Sequence, residues 1–336
     1  EMETNRDPLP FLHSLQEGAE NTVTGTLHVS VCGGNTANTE YEFLTGNTMT
    51  FLPQGSIPYQ QYLTGEQPSL ASHLASLGYQ TVATHPYYAN GWERDAVYPW
   101  LGFSESLFLD AYQDAPRVRN YVSDLGCAER IISLYEQKKE GQPLFVFQVT
   151  MQNHGGYQDL YPNFTPDITA DGIDNLSLEQ YLSLTELSDL SLSYLIDYFS
   201  QAEEKTVIVF FGDHQPGDAV AAPVLAKNGM SWNALTEEEL PLRYEVPYVI
   251  WANYEIAEEQ NADTSANYLG AQVCARAGIP LSGYQRFLLE ESGILPVLTP
   301  VKQATAQGAG EEEAAEALAR YRILQYYRMF DQKGEQ

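Results

Sequence analysis

Side chains capable of metal binding follow one of the most apolar runs of this 336-residue chain. The segment FFGDHQP (210–216) places Asp213 and His214 directly after a run typical of a buried strand. A carboxylate oxygen beside an imidazole nitrogen suits zinc or another divalent transition metal. A turn in which Asp213 caps the next segment and His214 is exposed explains the same residues, because an Asp-His pair is only a partial ligand set.

A threonine in the segment CGGNTANTEYEFLTGN is a candidate nucleophile. The pattern predicts a strand that ends at Cys32, a turn made by two glycines, and a helix that starts near Thr36. A hydroxyl at a helix N-terminus meets partial positive charge and free backbone N–H groups, and metal coordination would activate it. An ordinary cap by Asn35 or Thr36, with Glu40 completing a capping box, is the alternative, and propensity alone favours it.

Two further segments place phosphate-binding types of residue after predicted strands. In THPYYANGWERDAVYPWLGF, His85 ends a strand, and Trp92 and Arg94 lie in an aromatic loop broken by glycine. Arginine suits a bidentate grip on phosphate, and a tryptophan ring can cover a small polyol or a lipid headgroup. A surface loop in which Arg94 pairs with a neighbouring acid is the alternative. His154, in MQNHGGY, also follows an apolar run directly.

Together these residues predict one site at the ends of four strands. The chemistry that fits is attack on a tetrahedral anionic ester. A metal would activate the hydroxyl of Thr36 and screen charge, while Arg94 and the histidines hold non-bridging oxygens or protonate the leaving alcohol.

The elements that must position this site alternate along the chain. Short runs rich in β-branched and aromatic residues predict strands over 26–32, 79–85, 143–151, 206–214 and 246–254. Helical periodicity predicts helices over 36–45, 68–77, 116–138, 177–201, 264–277 and 311–330. The alternation predicts an α/β fold with a mainly parallel central sheet covered by helices on both faces, with a smaller C-terminal α+β portion. In such sheets the active site lies outside the carboxyl ends of the strands.

Composition limits the partners. The chain has 17 basic and 45 acidic residues and a net charge of −28. This balance argues against nucleic acid as a partner and against binding of anionic lipid headgroups by a cluster of basic residues. The 3 cysteines form no paired framework. No apolar run reaches the roughly 18–20 residues that span a bilayer. We expect a catalytic domain over 1–300 and an acidic segment and helix over 301–336 that pack on it.

The order of the motifs GGNTANTEYEFLTGN, LPQGSIPYQQYL, GWERD, QNHGGY and GDHQP resembles the lipoteichoic acid synthase family over residues 8–330. Its members are phosphoglycerol transferases of the alkaline phosphatase/sulfatase superfamily. The resemblance implies that Thr36 is the nucleophile and a manganese ligand, and that Asp213 and His214 are further ligands, with Mg²⁺ or Zn²⁺ as alternative metals. The residues that it assigns to contacts with the substrate phosphate and glycerol are His85, Trp92, Arg94 and His154.

The resemblance also implies a reaction and a location. A phosphoglycerol group would pass from phosphatidylglycerol to Thr36 and then to a hydroxyl of a glycerophosphate polymer or glycan. The reaction would take place at the extracellular face of a bacterial membrane, to which N-terminal helices anchor the family's members. A phosphodiesterase or phosphatase, in which water resolves the intermediate, and a non-catalytic binding domain remain open. A sulfatase is disfavoured because the CxPxR signature is absent.

Two departures from the family pattern set a further expectation. The family's fourth metal ligand is a glutamate at the end of a first strand, and no such motif precedes residue 8; Glu1 and Glu3 are poor substitutes. The membrane helices are also absent from the sequence. We therefore expect a fragment cut after its first strand, with weakened metal binding and little activity.

Overall fold

A computed structural model describes residues 2–331, so Glu1 and the end of the predicted segment 301–336 lie outside the described residues. Within this range the chain forms eleven strands and eleven α-helices. The strands are β1 Thr22–His28, β2 Gln80–Thr84, β3 Glu105–Leu107, β4 Arg117–Val118, β5 Tyr121–Val122, β6 Leu144–Gln148, β7 Val207–Phe211, β8 Glu245–Ala252, β9 Thr264–Ser265, β10 Val297–Leu298 and β11 Gln303–Ala304. The helices are α1 Pro10–Gln16, α2 Thr36–Thr45, α3 Pro58–Gln61, α4 Leu70–Ser76, α5 Arg94–Trp100, α6 Asp124–Gln137, α7 Leu176–Ser200, α8 Asp218–Lys227, α9 Ala266–Arg276, α10 Gly283–Ser292 and α11 Glu311–Tyr326.

The strands form two principal sheets. One has the order β3-β2-β6 and is parallel throughout. The other has the order β7-β8-β1-β9, in which β8 runs antiparallel to both of its neighbours and β9 runs parallel to β1. Alternate residues of β7 pack into different apolar clusters: Val207 and Val209 into one, Ile208 and Phe210 into the other. The predicted α/β fold is confirmed, with β8 as its antiparallel component.

Two predicted boundaries are wrong. The first strand ends at His28 rather than Cys32, because its ladder reaches the first residue of β8 there and Val29 then bonds the carbonyl of Tyr244. The predicted helix over 116–138 begins only at Asp124. Its first part is the β4–β5 hairpin, with a left-handed residue, Arg119, in the turn.

Helix α2 is the central helix, and all of its residues after Thr36 are buried. It ends at Gly46, whose left-handed φ of 69° and close approach to Leu288 leave no room for a Cβ atom. The hydroxyl of Tyr321, from α11, donates to the Gly46 carbonyl at 2.5 Å. The C-terminal helix therefore packs on the end of α2, while a domain boundary at residue 300 stays a prediction.

None of the helices within residues 2–331 is both long enough and apolar enough to cross a membrane.

Candidate active site

Thr36 is the first residue of α2, directly after a turn of unusual backbone geometry. Gly33, Gly34 and Asn35 have φ angles of 72°, 155° and 66°, all in the region that disfavours side chains. The Asn35 side chain makes no capping hydrogen bond. The Thr36 hydroxyl does not cap the helix either, because it donates to Asp213 Oδ2 at 2.6 Å. The alternative of an ordinary helix cap is therefore not what the structure contains.

Thr36, Asp213 and His214 bring three donor atoms together. Thr36 Oγ1 lies 3.4 Å from His214 Nε2, and that nitrogen lies 3.2 Å from Asp213 Oδ2. His214 Nδ1 lies 2.8 Å from the carbonyl of Gln215. Since a carbonyl only accepts, Nδ1 donates to it, and Nε2 is the ring nitrogen that faces the other two atoms.

This triangle fits three corners of a metal site. Ligand atoms about 2.0–2.2 Å from a tetrahedral ion lie about 3.3–3.6 Å apart, close to the two distances made by His214 Nε2. The edge between Thr36 and Asp213 is shorter because a proton is shared there. Across residues 2–331 no three His, Cys, Asp or Glu side chains cluster closely enough to hold a metal. The third donor in this triangle is a hydroxyl.

Arg94 makes its strongest contact with an acid of α2. Its guanidinium meets both oxygens of Glu40, with Nε at 3.2 and 3.3 Å, and both side chains are 3% exposed. Tyr98 adds a hydrogen bond of 2.9 Å to Glu40. The alternative expectation, a pair with an adjacent acid in a surface loop, is wrong: the partner lies 54 residues away in the chain. Glu40 is thereby committed to Arg94 and does not close a capping box.

His85 connects this ion pair to β6. Its Nδ1 lies 3.0 Å from the carbonyl of Val149, which fixes the hydrogen on Nδ1 and leaves Nε2 to accept from Arg94 at 3.3 Å. Burial, reinforced by the charge of Arg94, lowers the pKa of His85 to about 4. His85 is therefore neutral at pH 7 and orients the guanidinium instead of delivering a proton.

Trp92 and His154 are less buried than His85 and Arg94. Trp92 has a left-handed φ of 57° in the short turn Gly91–Glu93, a conformation that costs a bulky residue about 1 kcal/mol. His154 is exposed, with Nδ1 3.4 Å from the hydroxyl of Tyr121. The predicted site residues line the same cavity of about 1380 Å³: Thr36, His85, Trp92, Arg94, His154, Asp213 and His214. Their assigned roles stay predictions.

Two buried arginines that the sequence analysis missed hold the loops of the site. Arg119 donates to the carbonyls of Gln152 and His154 at 2.7 and 2.8 Å. Arg243 donates to the Gln215 side chain at 3.1 Å and to the Pro216 carbonyl at 2.9 Å. The sequence did contain a signal for these two arginines. The chain has only 17 basic residues, and these two stand beside aromatic and apolar strand residues, where a charged side chain is unusual.

Comparison with known proteins gives a family and relatives. The family model described as Sulfatase matches residues 1–279. A Rhizobium meliloti protein described as "Putative cyclic beta-1,2-glucan modification protein" is 29% identical over 97% of this chain and 52% of its own length. Lipoteichoic acid synthase of Staphylococcus aureus is 27% identical over 62% of this chain and 32% of its own length. The chain thus spans about half, or less, of these curated relatives.

A solved structure shares the fold. The Streptococcus pyogenes phosphoglycerol transferase GacH, in complex with sn-glycerol-1-phosphate, superimposes with a TM-score of 0.76 at 22% identity. The alignment covers 97% of this chain and 80% of that one.

Proposed function

Because this chain belongs to the sulfatase family of enzymes, we propose that its site transfers a phosphoglycerol group from phosphatidylglycerol to a hydroxyl of a glycerophosphate polymer or glycan. The observation that carries the proposal is the convergence of Thr36 Oγ1, Asp213 Oδ2 and His214 Nε2 at the end of β7. Two names among the similar proteins support the choice of group: a lipoteichoic acid synthase, and a phosphoglycerol transferase in complex with sn-glycerol-1-phosphate.

Thr36, Asp213 and His214 would hold the divalent cation, for which Mn²⁺ is the first choice and Mg²⁺ or Zn²⁺ the alternatives. When bound, the ion supplies Lewis-acid activation of the hydroxyl and screens the negative charge of the phosphate. The glutamate that the resemblance requires as a fourth ligand stays a prediction, since the backbone of Glu3 pairs with Asp171 and its side chain is exposed.

The proposed reaction has two displacements at phosphorus. The Thr36 oxygen forms a bond to phosphorus and the bond to the diacylglycerol oxygen breaks, so that diacylglycerol leaves with the proton that the Thr36 hydroxyl gives up. The oxygen of an acceptor hydroxyl then forms a bond to phosphorus, the bond to the Thr36 oxygen breaks, and the proton of the acceptor restores the Thr36 hydroxyl. Backbone N–H groups at the start of α2 and its dipole stabilise the anionic phosphate. Burial lowers the pKa of the His154 imidazole, so its proposed role is to hydrogen-bond the phosphate or the leaving alcohol.

Recognition of the donor has to be local. With a net charge of −28 the chain repels an anionic membrane surface at long range. Attraction therefore depends on the bound cation and on contacts of the headgroup with Trp92 and His154. We place the reaction at the extracellular face of the membrane as part of this proposal.

The test is incubation with Mn²⁺, phosphatidylglycerol labelled in its headgroup glycerol, and a glycolipid acceptor. We expect label on the glycolipid, release of diacylglycerol, and loss of both after chelation of the metal. A phosphodiesterase is the second candidate, because the Asp213 side chain is 41% exposed and water reaches it. Label found only in free glycerol phosphate would identify that activity, and no label release with any of the three metals would contradict both proposals.

A further inference from the structure

A second cavity, of about 350 Å³, lies at the opposite end of α2 from Thr36. Its walls come from the end of α2, the start of α4, one side of α9 and the start of α10, and Arg328 lines it from the short turn that follows α11. Its floor is buried and apolar, with Leu70, Ala271 and Leu288 between 2% and 6% exposed. A volume of this size is at the lower end of small-molecule sites, which run from about 300 to 1,000 Å³.

The charge of this cavity is opposite to that of the chain. Although the chain has 45 acidic residues, no Asp or Glu among residues 2–331 lines the cavity, whereas the half-buried side chains of Arg328 and His73 do. The first turn of α10 also lines it and adds the partial positive charge of unpaired N–H groups. The negative end of α2 is offset, because the hydroxyls of Tyr284 and Tyr321 donate to the Gly46 carbonyl. The cavity is therefore electropositive.

The guanidinium of Arg328 has donors that the protein does not use. It stacks on Tyr284, with Cζ 3.6 Å from the centre of the ring, and Nη2 donates to the Pro68 carbonyl at 3.2 Å. Its Nε is buried and has no hydrogen-bond partner in the described part of the chain, where no acid forms an ion pair with it either. Arg119 and Arg243 also lack an acid there, but each donates at least two hydrogen bonds. Because the Arg328 guanidinium has already lost water, it is the stronger anion-binding group.

We propose that this cavity binds a small organic anion, namely a carboxylate on a compact apolar body. The planar fork of Arg328 suits a carboxylate, which it can grip through two parallel hydrogen bonds. The apolar body would pack on Leu70, Ala271 and Leu288. Inorganic phosphate fits less well, because an apolar floor cannot hydrogen-bond its remaining oxygens.

Asn267 adds a requirement for the other end of the ligand. This residue lines the cavity and is 1% exposed. Its Nδ2 donates to the Tyr321 hydroxyl at 2.9 Å, and that hydroxyl donates in turn to Gly46, so Oδ1 is the free atom of the amide. Oδ1 is buried and has no partner within residues 2–331. A buried acceptor favours a ligand that carries a hydroxyl group. This inference does not depend on the proposed function.

Isothermal titration calorimetry with para-hydroxybenzoate tests the site in the parent protein. The probe carries a carboxylate and a hydroxyl at opposite ends of an apolar ring. We expect a dissociation constant of about 1 mM or lower. The neutral analogue para-hydroxybenzamide should bind at least about tenfold more weakly, because it loses the charge-assisted hydrogen bonds to Arg328. Benzoate, which lacks the hydroxyl, should bind about threefold more weakly or worse.

Variants and amide chemical shifts locate the bound probe. Arg328→Met keeps the apolar stem and should weaken binding at least about tenfold. Arg328→Lys keeps the charge without the planar fork and should give an intermediate affinity. Arg322→Met, at an exposed arginine of α11, is the matched control and should bind like the parent. In the parent, the amide resonances of Gly270 and Ala271 should shift on titration, and thermal melting checks that each variant is folded.

Four results would overturn the proposal. The first is no heat and no shift of Gly270 and Ala271 with about 10 mM probe. The second is equal affinity for the acid and its amide, or for the parent and a folded Arg328→Met. The third is tighter binding of inorganic phosphate than of para-hydroxybenzoate, which would assign the cavity to inorganic anions. The fourth is a set of shifts confined to residues around Thr36, which would place the probe in the active site.

Discussion

The molecule has two charged clusters on the same face of α2, and they differ in how their charges are balanced. Thr36 and Glu40 are four residues apart, so both project from one side of the helix. Glu40 meets Arg94 in a pair that is 3% exposed on each side. Asp213, beside Thr36, is 41% exposed, and its ion-pair partner among residues 2–331 is the imidazole of His214.

Because of this difference in charge balance, the Glu40–Arg94 cluster supports the fold, whereas the cluster of Thr36, Asp213 and His214 is available to a ligand. In the Glu40–Arg94 pair the two charges neutralise each other, and the two side chains are hydrogen-bonded to one another. The pair therefore fixes the rotation of α2 about its axis. In the Thr36–Asp213–His214 group three polar atoms lie within 3.4 Å of one another, and within residues 2–331 no arginine or lysine forms an ion pair with Asp213. A helix held rigidly at one turn can therefore present a hydroxyl with fixed geometry at the preceding turn.

Removal of the hydroxyl of Thr36 should have the largest effect. If Thr36 is the nucleophile, Thr36→Ala should lower the rate of labelled phosphoglycerol transfer at least about 10⁴-fold, equivalent to about 5 kcal/mol of transition-state stabilisation. Thr36→Ser, which keeps a hydroxyl, should recover part of the rate. The measurement is the single-turnover rate with Mn²⁺ present.

Thr45→Ala is the matched control for this variant. Thr45 lies on the same helix, but its hydroxyl donates to the carbonyl of Tyr41 at 2.6 Å, away from the site. This variant should lose some thermal stability and keep its transfer rate. A Thr36→Ala protein that still transfers within about tenfold of the parent rate would contradict the role of Thr36.

Breaking the buried pair should affect stability more than chemistry. Glu40→Gln leaves the charge of Arg94 buried without a counterion, so the free energy of unfolding in urea should fall by about 3–5 kcal/mol. Adding Arg94→Met to Glu40→Gln removes that charge and should restore part of the loss. Glu93→Gln, an exposed acid next to Arg94, is the control and should change the free energy of unfolding by less than about 0.5 kcal/mol. Equal effects of Glu40→Gln and Glu93→Gln would make Glu40–Arg94 an ordinary surface pair.

The sequence predicted which residues line one cavity better than it predicted the contacts among them. Apolar runs followed at once by His85, His154 or Asp213 were enough to bring these residues to one cavity, because parallel strands share a carboxyl edge. The same reasoning could not find the partner of Arg94. Glu40 lies 54 residues away, and a chain with 45 acidic residues offers many candidates that no local spacing distinguishes.

Strand limits were uncertain for a similar reason. The run TLHVSVC has strand-forming residues up to Cys32, but β1 stops at His28, where β8 no longer provides a partner. The β4–β5 hairpin was missed because its two-residue strands are too short to show a period. Pairing across the sheet decides both cases, and it is not encoded in any window of the sequence around these residues.

The titration of His85 gives the smallest expected effect and the most specific test of the difference in burial between the two clusters on α2. Its pKa is about 4 in the folded protein and about 6.5 in the unfolded chain, so the unfolded state binds more protons between these values. The stability that neutral His85 contributes is therefore complete above pH 6.5 and is lost as the pH falls towards 4. The loss should approach about 3 kcal/mol, at 1.36 kcal/mol for each pH unit.

Two buried acids require that the His85 contribution be measured as a difference between variant and parent. Burial raises the pKa of Asp124 to about 6 and that of Glu42 to about 7, so the contributions of these acids change in the opposite direction and fall as the pH rises above about 4. The slope of the parent protein alone therefore does not isolate the His85 part. His85→Asn should remove only the His85 part, so the free energy of unfolding of the variant minus that of the parent should rise by about 3 kcal/mol as the pH falls from 6.5 to 4. His73→Asn, at a histidine bonded to the Pro280 carbonyl outside the site, should leave the slope unchanged. Identical slopes for the parent and His85→Asn would mean that His85 titrates as if in water, and the buried cluster would then be as open to solvent as Thr36 and Asp213.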